Sequence, residues 1–170
     1  MENHVRDYSL FSQQDIYLFK EGSLFKIYEL LGSHQVKHED KDGVYFAVWA
    51  PNAKHVSVVG DFNYWDKWTH PLNVRGDNSG IWEGFIPYLK KGDTYKYFIL
   101  SNHNNYSVEK ADPFAFHCET PQKTGSKIWD LEYKWNDDKW MKTRYKNNSQ
   151  KAPISIYEMH LGSWRRKPEE

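Results

Sequence analysis

The sequence lacks the features that mark several large classes of protein. Its 170 residues include one cysteine, Cys118, which excludes an intramolecular disulfide framework and suits a reducing compartment. The 23 basic and 23 acidic residues cancel, and no long run of one charge indicates nucleic-acid or membrane binding. No stretch has the length of a membrane span, and the first residues have no apolar core. We therefore expect a cytoplasmic protein that binds neither nucleic acid nor a membrane.

Signals for metals and cofactors are also weak. His34 and His38 are four residues apart, but Gln35 stands where a zinc-protease helix carries its glutamate. We interpret both histidines as solvated loop residues. A glycine-rich phosphate-binding loop is missing, and nothing cationic surrounds Cys118 in the sequence. The sequence therefore predicts neither a metal site nor a cofactor.

Aromatic residues, in contrast, are abundant. They make up 17% of the chain and include 8 Trp and 12 Tyr. Such side chains either fill the core of a small domain or lie exposed and stack on a ligand. Composition alone favours the core. The position of each ring in the sequence must show whether it is buried or stacks on a ligand.

The first quarter of the chain has helical signals. The segment 12–15 (SQQD) resembles a helix start, and Gly22 is a plausible stop. Leu24, Ile27, Tyr28 and Leu31 then recur with helical spacing before Gly32. This pattern predicts a second, amphipathic helix of about two turns.

From Gly43 the apolar period changes to two. Apolar and β-branched runs at 44–50, 55–60, 81–86 and 94–100 alternate with turn-rich segments at 51–53, 76–80 and 90–93. Short strands at this spacing, with no helical pattern between them, predict an antiparallel β-sandwich. After about residue 111 the pattern loosens, and residues 134–152 have the polarity of a linker. A final β-rich run at 154–160 has no evident partner strand.

Three segments resemble the family 48 carbohydrate-binding module. They are residues 49–53 (WAPNA), 56–65 (VSVVGDFNYW) and 95–98 (YKYF). Several strands must agree in order and spacing to produce this match, which extends over about residues 43–130. The resemblance implies an immunoglobulin-like sandwich, of the kind that precedes the barrel in the α-amylase superfamily. A related module binds glycogen in a regulatory subunit of AMP-activated kinase.

Further segments are similar to glycogen branching enzymes. They are residues 154–166 (ISIYEMHLGSWRR), 110–116 (KADPFAF), 18–22 (LFKEG) and 28–32 (YELLG). The first looks like the initial strand of the catalytic barrel in that family. Family members cut an α-1,4-glucan and rejoin the fragment through an α-1,6 bond, using an aspartate nucleophile and a glutamate acid/base. Those residues lie on later barrel strands, so the resemblance assigns no catalytic residue to this chain.

The resemblance also divides the chain. We expect a helical extension at 1–42, a carbohydrate-binding sandwich at 43–133, a linker at 134–152 and the first strand of a truncated barrel at 153–170. The overall class is mainly β, an immunoglobulin-like antiparallel sandwich with a short helical N-terminal extension and that truncated strand.

Four residues are candidates for sugar contact. The resemblance implies that Trp65, which closes a Phe-Asn-x-Trp turn, stacks on a sugar face; alternatively it caps the sandwich edge. Strand alternation points Lys96 away from the core if Tyr95 and Tyr97 face it. The resemblance implies that Lys96 then contacts the sugar; alternatively it is a solvated strand lysine. Asn63 is a further hydroxyl partner, although asparagine in a turn often serves the backbone. Tyr106 is the one aromatic near the position where the kinase module has a second tryptophan.

Two classes of function remain open. The first is a module that binds glycogen or another α-1,4-glucan, is itself non-catalytic, and belongs to a branching enzyme of glycogen biosynthesis. Its partners would be the glucan and the missing catalytic barrel. The second is a structural sandwich that buttresses the barrel with little sugar binding, and the same module from a debranching enzyme is a further alternative. A self-contained regulatory subunit is disfavoured by the barrel-like segment 154–166.

Overall fold

The strands expected from the alternating pattern are present, and they form two antiparallel sheets packed as a sandwich. The structure is a computed structural model that describes residues 4–164; the predicted charged end at 165–170 lies outside the described residues. The chain divides into two compact units, with the boundary between Leu131 and Glu132. The strands of the first unit are β1 (Gly32–His38), β2 (Lys41–Trp49), β3 (Ala53–Gly60), β4 (Asn73–Val74), β5 (Ile81–Pro87), β6 (Thr94–Ser101), β7 (Ser107–Lys110), β8 (His117–Cys118) and β9 (Ser126–Lys127).

The strand order explains which residues reach the core. One sheet has the order β1-β2-β5-β4; the other has β3-β6-β9-β8, with β7 also paired to β6. Because side chains alternate along each strand, one face of each sheet meets the other sheet. The buried hydrophobic residues of this cluster are Val5, Val44, Phe46, Val48, Val56, Val58, Leu72, Trp82, Ile86, Leu89, Tyr95, Tyr97 and Ile128.

A second hydrophobic cluster covers the other face of the first sheet. Its buried members are Phe11, Ile16, Leu31, Tyr45, Ala47 and Ile81. Helix α1 (Gln13–Glu21) contributes Ile16 to this cluster. The N-terminal segment is therefore part of the packed first unit, and its backbone also pairs Arg6 with Phe85 of β5.

The signals for the first helix are confirmed. Ser12 caps α1 and accepts a hydrogen bond from the Asp15 backbone N–H, and Asp15 accepts one from the Ser12 backbone N–H. Gly22 ends the helix in the left-handed region, with φ of 80°, where glycine pays no steric penalty.

The predicted second helix is wrong. Only a single 3-10 turn, Ile27–Glu29, forms between α1 and β1. The turn ends at Leu30, whose φ of −123° lies outside the helical range, and β1 begins two residues later at Gly32. Leu31 is buried and Leu24 and Ile27 are partly buried against one hydrophobic cluster, so the apolar spacing here reflects separate anchor points and not a helix.

The sandwich begins earlier than Gly43. Strand β1 pairs with β2 through a two-residue hairpin, in which Glu39 and Asp40 both have positive φ. The interpretation of His34 and His38 as loop residues is therefore wrong, since both lie on β1. Polar residues hide this strand in the sequence, because β1 is at the edge of its sheet.

The second unit contains helix α2 (Asp138–Asn147), which the polar linker pattern did not predict, and a short helical turn α3 (Leu161–Trp164). The predicted strand at 154–160 is not formed: within the described residues this segment has no paired strand. A strand needs a hydrogen-bonded neighbour, and the sequence already offered none. Within residues 4–164, the helices are all too short or too polar to cross a membrane.

Candidate functional site

The turn after β3 carries the main candidate, Trp65. A 3-10 turn, Asp61–Asn63, follows the strand, and Tyr64 and Trp65 then both adopt left-handed backbone conformations with φ of 54° and 61°. The Trp65 backbone N–H donates to the Gly60 carbonyl at 2.9 Å and closes the turn. Gly60 is required there because a Cβ would lie 2.2 Å from the Thr94 carbonyl oxygen. Phe62 is partly buried, packs against the core and anchors the turn.

Asn63 is buried inside this turn and its side chain serves the backbone; its role as a hydroxyl partner of the sugar stays a prediction. Its Oδ1 accepts from the Gly60 backbone N–H at 3.0 Å. Its Nδ2 lies 3.0 Å from both the Val58 carbonyl oxygen and His70 Nδ1. The amide is therefore fully used by the turn itself, which is the backbone role that asparagine often has.

Trp65 is half-buried beside β6. Its indole Nε1 donates to Asp61 Oδ1 at 2.9 Å, which fixes the rotation of the ring. The Nζ atom of Lys96 lies 6.0 Å from the ring centroid. The structure therefore brings together the two residues that the sequence selected first.

Lys96 points away from the core, as the strand alternation predicted. Its neighbours Tyr95 and Tyr97 are fully buried between the sheets. Lys96 Nζ donates to Thr124 Oγ1 at 2.8 Å, which holds the ammonium group over the outer face of the second sheet. The pair of Trp65 and Lys96 offers one aromatic ring and one charged donor on the same surface.

Tyr106 does not join this pair. Its carbonyl accepts from the Ser101 backbone N–H in the loop between β6 and β7. The start of β7, Ser107, pairs with Leu100, four residues along β6 from Lys96. At about 3.3 Å per residue this places Tyr106 roughly 13 Å or more along the strand from Lys96. Tyr106 is 62% exposed, so it is a surface ring outside the Trp65 site.

Sequence reasoning missed Trp68, which is 63% exposed and lies on the same sheet face. Its ring centroid is 5.8 Å from that of Phe98 and 4.9 Å from that of His55. Its exposure could have been predicted from the sequence, because Trp68 follows Trp65 by three residues in the same polar loop. The resemblance implies a second tryptophan after the strand of Lys96, so it did not select Trp68.

The electrostatics of the turn centre on His70. Burial lowers the pKa of His70 from 6.5 to about 4, and the neighbouring His4 acts in the same direction, while Asp66 opposes the shift. The His70 ring stacks on His4 and meets Phe62 edge-on. A neutral His70 is what the turn needs, because its Nδ1 then accepts the hydrogen bond from Asn63.

The buried carboxyl groups have structural partners. The Asp112 carboxylate accepts hydrogen bonds from the hydroxyls of Tyr95 and Tyr97, and burial raises the pKa of Asp112 above its ordinary value. Glu83 accepts from the Tyr45 hydroxyl and pairs with Arg75. Within residues 4–164, no cluster of three His, Cys, Asp or Glu side chains is placed to hold a metal ion. The arrangement on the outer sheet face suits stacking and hydrogen bonding to a neutral, hydroxyl-rich ligand.

The chain is similar to one family of modules and to several longer enzymes. The sequence profile of carbohydrate-binding module 48, the isoamylase N-terminal domain, matches residues 30–115. The 1,4-alpha-glucan branching enzyme GlgB of Aquifex aeolicus (strain VF5) is 51% identical over 166 residues, covering 98% of this chain and 26% of that protein. The GlgB of Albidiferax ferrireducens is 53% identical over 156 residues, covering 92% and 24%. Ligand-free PulA from Klebsiella pneumoniae aligns with a TM-score of 0.49 and 28% identity, over 62% of this chain and 10% of that one. The chain thus spans about a quarter of the length of the curated relatives that it matches.

Proposed function

The chain belongs to the carbohydrate-binding module 48 family, and we propose that it is the α-glucan-binding module of a 1,4-α-glucan branching enzyme. The observation that carries the proposal is the pairing of Trp65 with Lys96 on the outer face of the second sheet. An indole offers a flat apolar surface to the C–H face of a glucose ring. The lysine offers fixed donors to the hydroxyls around that ring.

The whole protein would form α-1,6 branches in glycogen from α-1,4-linked chains. In such a retaining reaction one carboxylate attacks the sugar and a second carboxyl group protonates the leaving oxygen. We place those groups in the barrel that follows the segment 154–160, so this module itself is non-catalytic. Its role is to hold the glucan near the barrel and so raise the local concentration of the substrate.

We further propose that residues 134–152 connect the module to the barrel and that residues 153–170 begin it. The ligand is glycogen or another α-1,4-glucan, and the second partner is the catalytic barrel of the same protein. A cytoplasmic location fits a chain with a single, exposed cysteine.

A structural sandwich that buttresses the barrel is the second candidate. It is favoured by the half-buried state of Trp65, which leaves less ring surface for stacking than a free indole has. Sugar binding by the isolated chain distinguishes the two candidates.

The test is the mobility of the chain in gels that contain glycogen. The parent should be retarded, and Trp65→Ala should migrate faster because it has lost the stacking surface, with affinity reduced roughly tenfold. Lys96→Ala should show a smaller change in the same direction. Trp49→Ala is the matched control, since Trp49 is a partly exposed tryptophan on β2 of the other sheet and should leave retardation unchanged.

Thermal unfolding of each variant shows whether the fold has been kept. Equal retardation of the parent and Trp65→Ala would mean that this turn is not the binding site. A parent that glycogen does not retard would favour the buttressing role.

A further inference from the structure

We propose that Trp68 is a second sugar-binding platform beside Trp65, so that the site takes a linear α-glucan of several glucose units. This inference rests on the proposed function, because it extends the same sheet face. It assigns the second platform to the loop after β3, and not to the loop after β6 where Tyr106 lies.

The Trp68 ring is supported from below. It packs on Phe98 and His55. Phe98 is only 4% exposed, because Trp68 and Lys67 lie against its ring. Trp68 as a whole nevertheless remains 63% exposed to solvent. A side chain that served only to cover Phe98 would not need so large an exposed aromatic surface.

The backbone that carries Trp68 is fixed by hydrogen bonds. Asp66 Oδ1 accepts from the backbone N–H of Trp68 at 2.7 Å and from that of Thr69 at 3.2 Å. The Lys67 carbonyl accepts from Ser57 Oγ at 2.7 Å, which ties the loop to β3. A platform that is already ordered loses little entropy when a sugar binds.

The two platforms follow one strand. Lys96 and Phe98 are two residues apart on β6, so both side chains lie on the outer face, about 6.6 Å apart at their Cα atoms. Trp65 lies near Lys96, and Trp68 lies on Phe98. One extended chain that follows β6 therefore meets both indoles, whereas a single glucose meets one.

Polar groups accompany the second platform as they do the first. Lys67 Nζ lies 5.0 Å from the Phe98 ring centroid and 3.3 Å from Glu109 Oε1 on β7. This ion pair is solvent-exposed, so it is weak and free to exchange partners with sugar hydroxyls. At the first platform, the hydrogen-bonded pair of Lys96 and Thr124 supplies the polar groups for sugar hydroxyls.

The experiment measures the affinity of the full chain for maltoheptaose and maltotriose by titration calorimetry. Trp68→Ala should bind maltoheptaose roughly threefold to tenfold more weakly than the parent. The gain in affinity from maltotriose to maltoheptaose should become smaller in this variant. Trp68→Phe keeps a flat ring and should recover most of the affinity, while Trp49→Ala should match the parent.

The possible outcomes separate this inference from the proposed function. If the parent binds maltoheptaose and Trp68→Ala binds it equally well, Trp68 is not a platform, although the Trp65 site stands. If Trp68→Phe is as weak as Trp68→Ala while both melt like the parent, stacking by a ring is not the cause, and the inference fails. If the parent binds neither glucan, the proposed function and the inference fail together.

Discussion

At the scale of single residues, the candidate site depends on Asn63 and His70, two polar side chains that lie inside the loop after β3. Asn63 bridges the Gly60 backbone N–H, the Val58 carbonyl and His70 Nδ1, so it holds the two ends of the segment together. Each buried hydrogen bond of this kind contributes on the order of 1 kcal/mol, and more is lost when one partner is left unpaired. The shape of the loop that carries Trp65 and Trp68 therefore depends in part on the buried side chain of Asn63.

His70 makes the stability of this loop dependent on pH. The pKa of His70 is about 4 in the fold and 6.5 when the chain is unfolded, so the folded state binds this proton less tightly. The free energy of unfolding therefore falls as the pH falls from about 6.5 towards 4, and it is fully retained above 6.5. Protonation places a hydrogen on Nδ1, which then faces the Asn63 amide donor. Between pH 7 and pH 4.5 we expect the melting temperature of the parent to fall roughly 5 °C more than that of His70→Gln.

Thermal unfolding at a series of pH values measures this difference. His103→Gln is the matched control, because His103 is exposed in the loop after β6, and this variant should keep the pH profile of the parent. His4 and Asp66 face His70 and are present in all three proteins, so the difference reports on His70. Identical profiles for the parent and His70→Gln would contradict the assignment.

The residues of the site differed in how far the sequence could predict them. Lys96 followed from simple alternation, because Tyr95 and Tyr97 had to face the core. The orientation of Asn63 could not be predicted in this way, since the turn around it contains two successive left-handed residues, Tyr64 and Trp65. Aromatic residues rarely adopt that conformation, so no sequence pattern announces it.

At the scale of elements, periodicity located the strands that are buried on at least one face. Strands β2, β3, β5 and β6 all appeared as alternating or continuous apolar runs, and the structure has them within a few residues of the expected limits. Strand β1 was missed because an edge strand carries polar residues on its exposed side. Helix α2 was missed because none of its residues is buried, so it has no apolar stripe to recognise.

The C-terminal segment makes a prediction about stability. Among residues 4–164, every member of the two hydrophobic clusters lies between Val5 and Ile128. A chain that ends at Lys151 should therefore melt within about 3 °C of the parent, because it loses none of these contacts. Circular dichroism at increasing temperature provides the measurement.

Removal of residues 1–11 is the informative comparison. That change deletes the buried side chains of Val5 and Phe11 and the pairing of Arg6 with Phe85, so it should lower the melting temperature by more than 10 °C, on the order of several kcal/mol. Loss of the cooperative transition in the chain that ends at Lys151 would show that the C-terminal segment is integral to the fold.

At the scale of the whole first unit, the two outer faces of the sandwich differ in whether they are covered. The outer face of the first sheet is covered by α1 and the N-terminal segment, which bury Tyr45 and Ile81. The outer face of the second sheet carries the loop with Trp65 and Trp68. The resemblance to a binding module could be recognised from strand order and spacing, whereas the division between a covered and an accessible face required the three-dimensional structure.

The proposed role as a binding module predicts that the chain binds glucan without altering it. A retaining transfer needs two carboxyl groups about 5 Å apart on either side of the scissile bond. The buried carboxyl groups Glu83 and Asp112 are instead engaged by tyrosine hydroxyls within the packed unit.

Incubated with amylose, the chain should leave the spectrum of the iodine complex unchanged, while a full-length branching enzyme in the same assay should lower the absorbance at long wavelength. Retardation in glycogen gels by the same preparation shows that it is folded and binds. A reproducible increase in α-1,6 linkages would contradict the assignment, since the chain would then contain catalytic groups that a binding module does not require.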